Sequence, residues 1–208
     1  KQYIASLQAN KNFEKAVNDG REIVAGNVRK QFVNNNEGKL AMLAMVWNMD
    51  MPLTMKNKLI VSITGQLMSN ELLNSVREDE GAAYSPYSVG YIDRTYKDNA
   101  TIQTSFGLNP DKYKTSETAT IKCLEKLSKD IPVAELKKMQ EYMLKSYDEN
   151  IVENGYWLGV LESYVVDGED MYTGYKKAVE ELTVGDIENF VDKLIKSENR
   201  FEILMLPE

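Results

Sequence analysis

Hydrophobic and polar positions change period along the chain, and each change marks an element. Val28 to Val33 reads as an extended segment that stops at Asn34-Asn35-Asn36-Glu37-Gly38. Leu40 to Trp47 is a continuous apolar run between turn-rich flanks. It predicts a strand buried on both faces, although periodicity alone also admits a helix. After Pro52, Leu59, Ile60, Ile63, Leu67, Leu72, Leu73 and Val76 recur at three and four, predicting one long helix over about 53–77. Beyond Glu78-Asp79-Glu80-Gly81 the period falls to two. Tyr87, Val89 and Tyr91 alternate, as do Ile102, Thr104 and Phe106, which predicts two antiparallel strands.

Asn109-Pro110 then opens a helical region. One helix runs from Tyr113 to Leu127 and stops near Ile131-Pro132. Val133, Leu136, Met139, Met143, Tyr147 and Ile151 stripe a second; Trp157, Leu158, Leu161, Tyr164 and Val165 support a third, ended by Asp167-Gly168. A short piece near 172–180 leads to the last helix, where Thr183 and Asp186 have the spacing of a capping box. Arg200 to Leu206 closes as a strand with Phe201, Ile203 and Met205 on one side. Strands and helices are thus segregated, which predicts an α+β fold: a mixed, mostly antiparallel sheet with helices packed on one face. Residues 1–21 read as the tail of a preceding module and a linker, and residues 22–208 as a single α+β domain.

Composition narrows the chemistry. The chain has 208 residues, 43% hydrophobic and 27% charged, which is ordinary for a globular domain. Its net charge of −7, with no dense Lys/Arg stripe, argues against a nucleic-acid partner. No apolar run is long enough to cross a membrane as a helix. There is no His at all, which removes imidazole bases and the common zinc sites built on them. The single Cys123 sits in a helical, apolar setting and reads as a small buried hydrophobe. The methionines at 42, 45, 49, 51 and 55 read as core and inter-domain packing. Catalytic residues and metal ligands are therefore expected to be absent from this chain.

One stretch carries positive information: Leu72-Leu73-Asn74-Ser75-Val76-Arg77-Glu78-Asp79-Glu80-Gly81-Ala82-Ala83-Tyr84-Ser85. An amphipathic helix ends in Arg, an acidic and Gly-containing turn follows, and Tyr84 begins the next strand. Arg77 offers a rigid fork of donors and Tyr84 a phenolic donor, a pair suited to carbonyl or carboxylate oxygens. On chemistry alone the same residues also read as an Arg favoured by the helix dipole and a Tyr used for packing.

This stretch resembles the C-terminal half of the pitrilysin/insulinase family of zinc peptidases. Members carry a helix ending in Leu-x-x-x-Arg-Glu, then an acidic/Gly turn, then Tyr-Ser. The order of elements over roughly 25–206 is similar too. The resemblance implies two halves facing each other around a peptide chamber. The N-terminal half would carry the zinc motif H-x-x-E-H, so zinc would belong there and no cofactor to this chain. Arg77, Tyr84 and Ser85 would bind extended peptide substrate and complete the active site when the halves close. The expected partners are thus a peptide and the catalytic half of the same protein, or a paired catalytic subunit. The resemblance also admits a non-catalytic homologue serving as partner subunit or scaffold. Related bacterial chains are often periplasmic, so the periplasm is the compartment it suggests.

Overall fold

Strands form where β-branched, aromatic and small residues alternate, and helices where the apolar spacing widens. The computed structural model describes residues 25–34, 38–79, 83–94 and 97–208, with residues 77–79, 83, 84 and 167 described by backbone alone. In chain order the elements are β1 (Asn27–Asn34), β2 (Ala41–Asp50), α1 (Met55–Leu72), a π-helical continuation (Leu73–Asp79), β3 (Ala83–Asp93) and β4 (Asn99–Leu108). A 3₁₀ turn (Pro110–Lys112) leads into α2 (Tyr113–Leu127), α3 (Val133–Asn150), α4 (Asn154–Asp167), α5 (Tyr175–Glu180), α6 (Val184–Lys196) and β5 (Arg200–Pro207). Residues 1–21, assigned above to a preceding module and linker, lie outside the described residues.

The strands make one sheet in the order β1-β5-β2-β4-β3. β1 is parallel to β5, and the other pairs are antiparallel. One face of the sheet meets the helices. Leu43, Met45 and Trp47 of β2, Ile102 and Phe106 of β4, and Leu204 of β5 are buried there against Leu59, Ile63 and Leu67 of α1, Leu124 and Leu127 of α2, and Ile187, Phe190 and Leu194 of α6. The α+β class and the one-sided helical layer predicted from the pattern are both observed.

The other face corrects one expectation. β2 is fully buried on one face and only partly on the other: Ala41, Leu43 and Met45 are fully buried, whereas opposite them Met42 is 39% exposed, Ala44 and Val46 are half-buried and only Asn48 is buried. The alternating Tyr87, Val89 and Tyr91 lie half-exposed, whereas Ser88 between them is buried. An apolar run shows that both faces tolerate hydrophobes; it does not show that both are covered. Of the methionines, Met45 is buried and Met49, Met51 and Met55 pack against the core.

β5 holds a residue that periodicity passed over. Its predicted apolar side, Phe201, Ile203 and Met205, is only half-buried, while Glu202 is buried on the inner side. Arg29 of β1 answers it at 3.2 Å and also reaches Glu117 of α2 at 3.4 Å. Burial, with Glu117 close by, raises the pKa of Glu202 against the pull of Arg29.

The helix ends obey local chemistry. In α6 the Asp186 N–H donates to Thr183 Oγ1 at 3.2 Å, and the Thr183 N–H donates back to Asp186 Oδ2 at 3.0 Å. This closes the predicted capping box. α4 stops at Gly168, whose φ of 72° is left-handed. The apolar residues that predicted this helix are not part of the core, however. Leu158, Leu161, Tyr164 and Val165 are between 58% and 79% exposed, so the stripe faces solvent rather than the core.

Candidate functional site

The site is a place where a helix hands over to a strand, and its stiffness begins with α1. α1 lies against β3 at backbone distance. A Cβ built on Gly90 would sit 1.9 Å from the Val61 carbonyl oxygen, and one on Gly65 would sit 2.2 Å from the Gly90 nitrogen. Only glycine permits that approach. Next along α1, Ser69 Oγ accepts the Ser88 N–H at 2.6 Å and donates to the Ser88 carbonyl at 2.9 Å. Since β3 is the last strand of the sheet, its outward backbone groups here are taken up by α1.

Toward its end α1 is also tied to α2. Lys126 Nζ donates to both Glu71 carboxylate oxygens, at 2.9 and 2.8 Å. That bond to Glu71 raises the Lys126 pKa. Cys123 of α2 is buried beside Ser75, and burial pushes its thiol up to about 11. It is a packing residue with negligible thiolate at neutral pH, as its sequence setting indicated. Leu72 and Val76 are fully buried and pin the chain on both sides of the point where α1 loosens into the π-helical stretch.

Arg77 lies in that stretch, Leu73–Asp79. This corrects the expected regular helix to about residue 77. Single π-helical turns occur often at functional sites, because the wider turn rotates the residues after it. Tyr84 is the second residue of β3 and pairs with Gly107 of β4. The backbone thus places Arg77 and Tyr84 on the two elements on either side of residues 80–82. Their side chains are outside the described atoms, so no contact between them is drawn.

Ser85 is described in full, and it is unusual. The β3–β4 register shifts between Tyr84 and Tyr87, so Ser85 and Pro86 together face the single residue Phe106. Ser85 has φ of 45°, a left-handed value uncommon for a non-glycine residue, and its side chain is exposed. Such bulges bend a strand and redirect the side chains next to them. Tyr87, on the same strand, is 50% exposed. The sequence pattern singles out Arg77, Tyr84 and Ser85 as candidates. It missed the π-helical stretch, the bulge and the Ser69 bridge. Gly65 inside a helical pattern and Gly90 inside a strand pattern were the available signals of the close crossing.

No group of three or more His, Cys, Asp or Glu among the described residues is placed to hold a metal ion. Among them, too, no helix is long and apolar enough to cross a membrane. A family model described as the peptidase M16 inactive domain matches residues 1–143.

The chain belongs to this family of inactive peptidase domains.

The resemblance read from residues 77–85 therefore stands, and the domain is non-catalytic on its own. Solved structures share the fold at low identity. A protease from Helicobacter pylori superposes with a TM-score of 0.83 at 17% identity, over 99% of this chain and 51% of that one. The periplasmic protease PqqL from Escherichia coli gives 0.76 at 18%, over 90% of this chain and 21% of that one. The inactive peptidase domain of a putative zinc protease from Bordetella parapertussis gives 0.69 at 13%, over 84% and 95%. The chain thus spans about half of the Helicobacter protease and about a fifth of PqqL. No curated protein matches the sequence.

Proposed function

We propose that this inactive M16 domain is the substrate-clamping part of a zinc metallopeptidase. It would grip extended peptide with Arg77, Tyr84 and Ser85 while a catalytic half, or a paired catalytic subunit, supplies the zinc. The zinc would activate water and polarise the scissile carbonyl there. Within this chain, the Tyr84 hydroxyl donates to a peptide carbonyl or to the oxyanion that develops from it. The Arg77 guanidinium anchors a neighbouring carbonyl or positions Tyr84. The exposed Ser85 lines the same wall. Residues 1–21 join the domain to a preceding module, and residues 22–208 form the clamp itself.

The observation that carries this reading is the closed edge of β3. Because Ser69 occupies both backbone groups of Ser88, a peptide cannot add there as a further strand. Recognition would then fall to side chains near the start of the strand, where by backbone position Arg77 lies in the π-helical stretch and Tyr84 next to the Ser85 bulge. The structure of the ferredoxin protease FusC in complex with Arabidopsis ferredoxin, similar in fold at 16% identity, adds a relative with a protein in its grip.

The test is peptide hydrolysis by the full-length protein carrying Arg77→Ala or Tyr84→Phe. Loss of an oxyanion donor costs about 10²-fold in kcat/KM or more. Wild-type kcat/KM in both variants, alongside an inactive control lacking the motif Glu of the catalytic half, would overturn the assigned roles.

A further inference from the structure

At the other end of α1, α3, α4 and α5 leave a groove of about 460 Å³ between them. Its walls are Met143 and Tyr147 of α3, Tyr156 of α4 and Tyr175 of α5. Nineteen positions of helix separate Lys58, on its rim, from Arg77, roughly 28 Å at 1.5 Å per residue. The groove is thus separate from the clamp.

Three features make it a built cavity. First, α4 turns its small residues toward it: Gly155 and Gly159 line the groove, and a Cβ at either would meet nothing within 4 Å. The space is held open by the choice of residues on that helix. Second, the aromatic wall is fixed. Tyr147 stacks on Tyr175 with centroids 5.1 Å apart and planes 10° apart, and meets Tyr156 edge-on at 6.2 Å. A hydrogen bond with Tyr172 above all, with burial and neighbouring Tyr172, Tyr156 and Asp148, pushes the Tyr147 phenol up to about 12. The ring therefore stays neutral at physiological pH. Third, the charged side chain on the rim is a cation. Lys58 lines the groove and makes no side-chain hydrogen bond or ion pair among the described residues. It is shared with an adjoining hollow that holds Asp93 and Arg94, which carry opposite charges.

We propose that this groove binds an aromatic or compact apolar group bearing a carboxylate, with the apolar part against the tyrosines and the carboxylate on Lys58. A mostly apolar cleft with a few polar groups fixing orientation is the usual form of a small-ligand site. Tyrosine faces accept flat apolar groups by offset or edge-on contact. An ammonium with no protein partner favours an anion over a neutral isostere by a charge-assisted hydrogen bond. The carboxylate can come from a free aromatic acid or from the C-terminus of a peptide ending in an aromatic residue.

Calorimetric titration of the full protein tests this with 3-phenylpropionate, 3-phenylpropanol, and a short peptide ending in Phe with a free or an amidated C-terminus. The acid is expected to bind about fivefold more tightly than the alcohol, and Lys58→Met to remove that difference without weakening the alcohol. Gly159→Leu fills the groove from a helical position with free space and good helix propensity. It is expected to abolish binding of every probe while leaving the melting temperature unchanged or higher. Tighter binding of the free-carboxylate peptide than of the small acid identifies a peptide terminus as the source, and the reverse order a free acid. Equal binding of acid and alcohol, no saturable binding of any probe, or retained binding in a folded Gly159→Leu protein would overturn the proposal.

Discussion

The two ends of α1 are built on opposite plans. Against β3, two glycines bring helix and strand backbones together, and a serine bridges the strand edge. Around α3 to α5, glycines on α4 have nothing above them, and Leu158, Leu161, Tyr164 and Val165 of the same helix are exposed. Glycine thus does contrary work in one domain: at Gly65 and Gly90 it removes space, and at Gly155 and Gly159 it keeps space. Tight contact suits the proposed clamp, and an open groove suits the proposed ligand site.

Substitutions can break or sharpen this contrast. Gly90→Ala carries the largest expected effect. Its Cβ would press on backbone, which cannot swing aside, so a loss of about 3 kcal/mol is expected in urea unfolding. A loss below about 0.5 kcal/mol would mean that α1 and β3 are not in backbone contact. Ser69→Ala should cost about 2 kcal/mol, because it strands the N–H and carbonyl of Ser88. It should also uncover the strand edge, so a rise in self-association with concentration is the second readout.

Gly159→Ala should go the other way. With nothing within 4 Å of the new methyl, the helix gains about 1 kcal/mol, read as a higher melting temperature. Destabilisation there would show the groove to be closed in solution. The smallest effect concerns Tyr147. Its folded pKa of about 12 stands above the ordinary 10.0, so the folded state keeps its proton longer than the unfolded chain. Stability linked to this phenol is present below pH 10 and is lost as pH rises toward 12. Tyr172→Phe should bring one phenolate transition in the ultraviolet titration down toward 10 and flatten that loss. An unchanged titration would remove Tyr172 as the cause.

Much of the fold was legible because local pattern and tertiary environment agree. The alternation at Ile102, Thr104 and Phe106, the Thr183–Asp186 capping box and the Gly168 stop report local geometry that any surroundings would preserve. The failures share a different origin. Periodicity identified the apolar sides of β2 and α4 but not what each side meets, so β2 was expected to be covered twice and the exposure of the α4 residues could not be read. Glu202 was invisible because a buried carboxylate is explained only by Arg29, some 170 residues away in sequence. At the candidate clamp, residue types and spacing pointed to Arg77, Tyr84 and Ser85. The left-handed Ser85 and the widened helical turn had no counterpart in composition, since strain of that kind is imposed by neighbours.

The position of β5 bears on how the chain is made. The first two strands do not touch each other in the sheet; the last strand is inserted between them. Gly26 and Asn199, 173 positions apart, are hydrogen-bonded where β1 meets β5. During synthesis, therefore, β2, β3 and β4 can assemble in the spatial order β2-β4-β3 with α1 on them while β1 waits without a neighbour. Only when residues 200–207 leave the ribosome can the sheet close. The slowest step expected of this topology is that final insertion, in which one short segment must satisfy two strands at once across a very long loop.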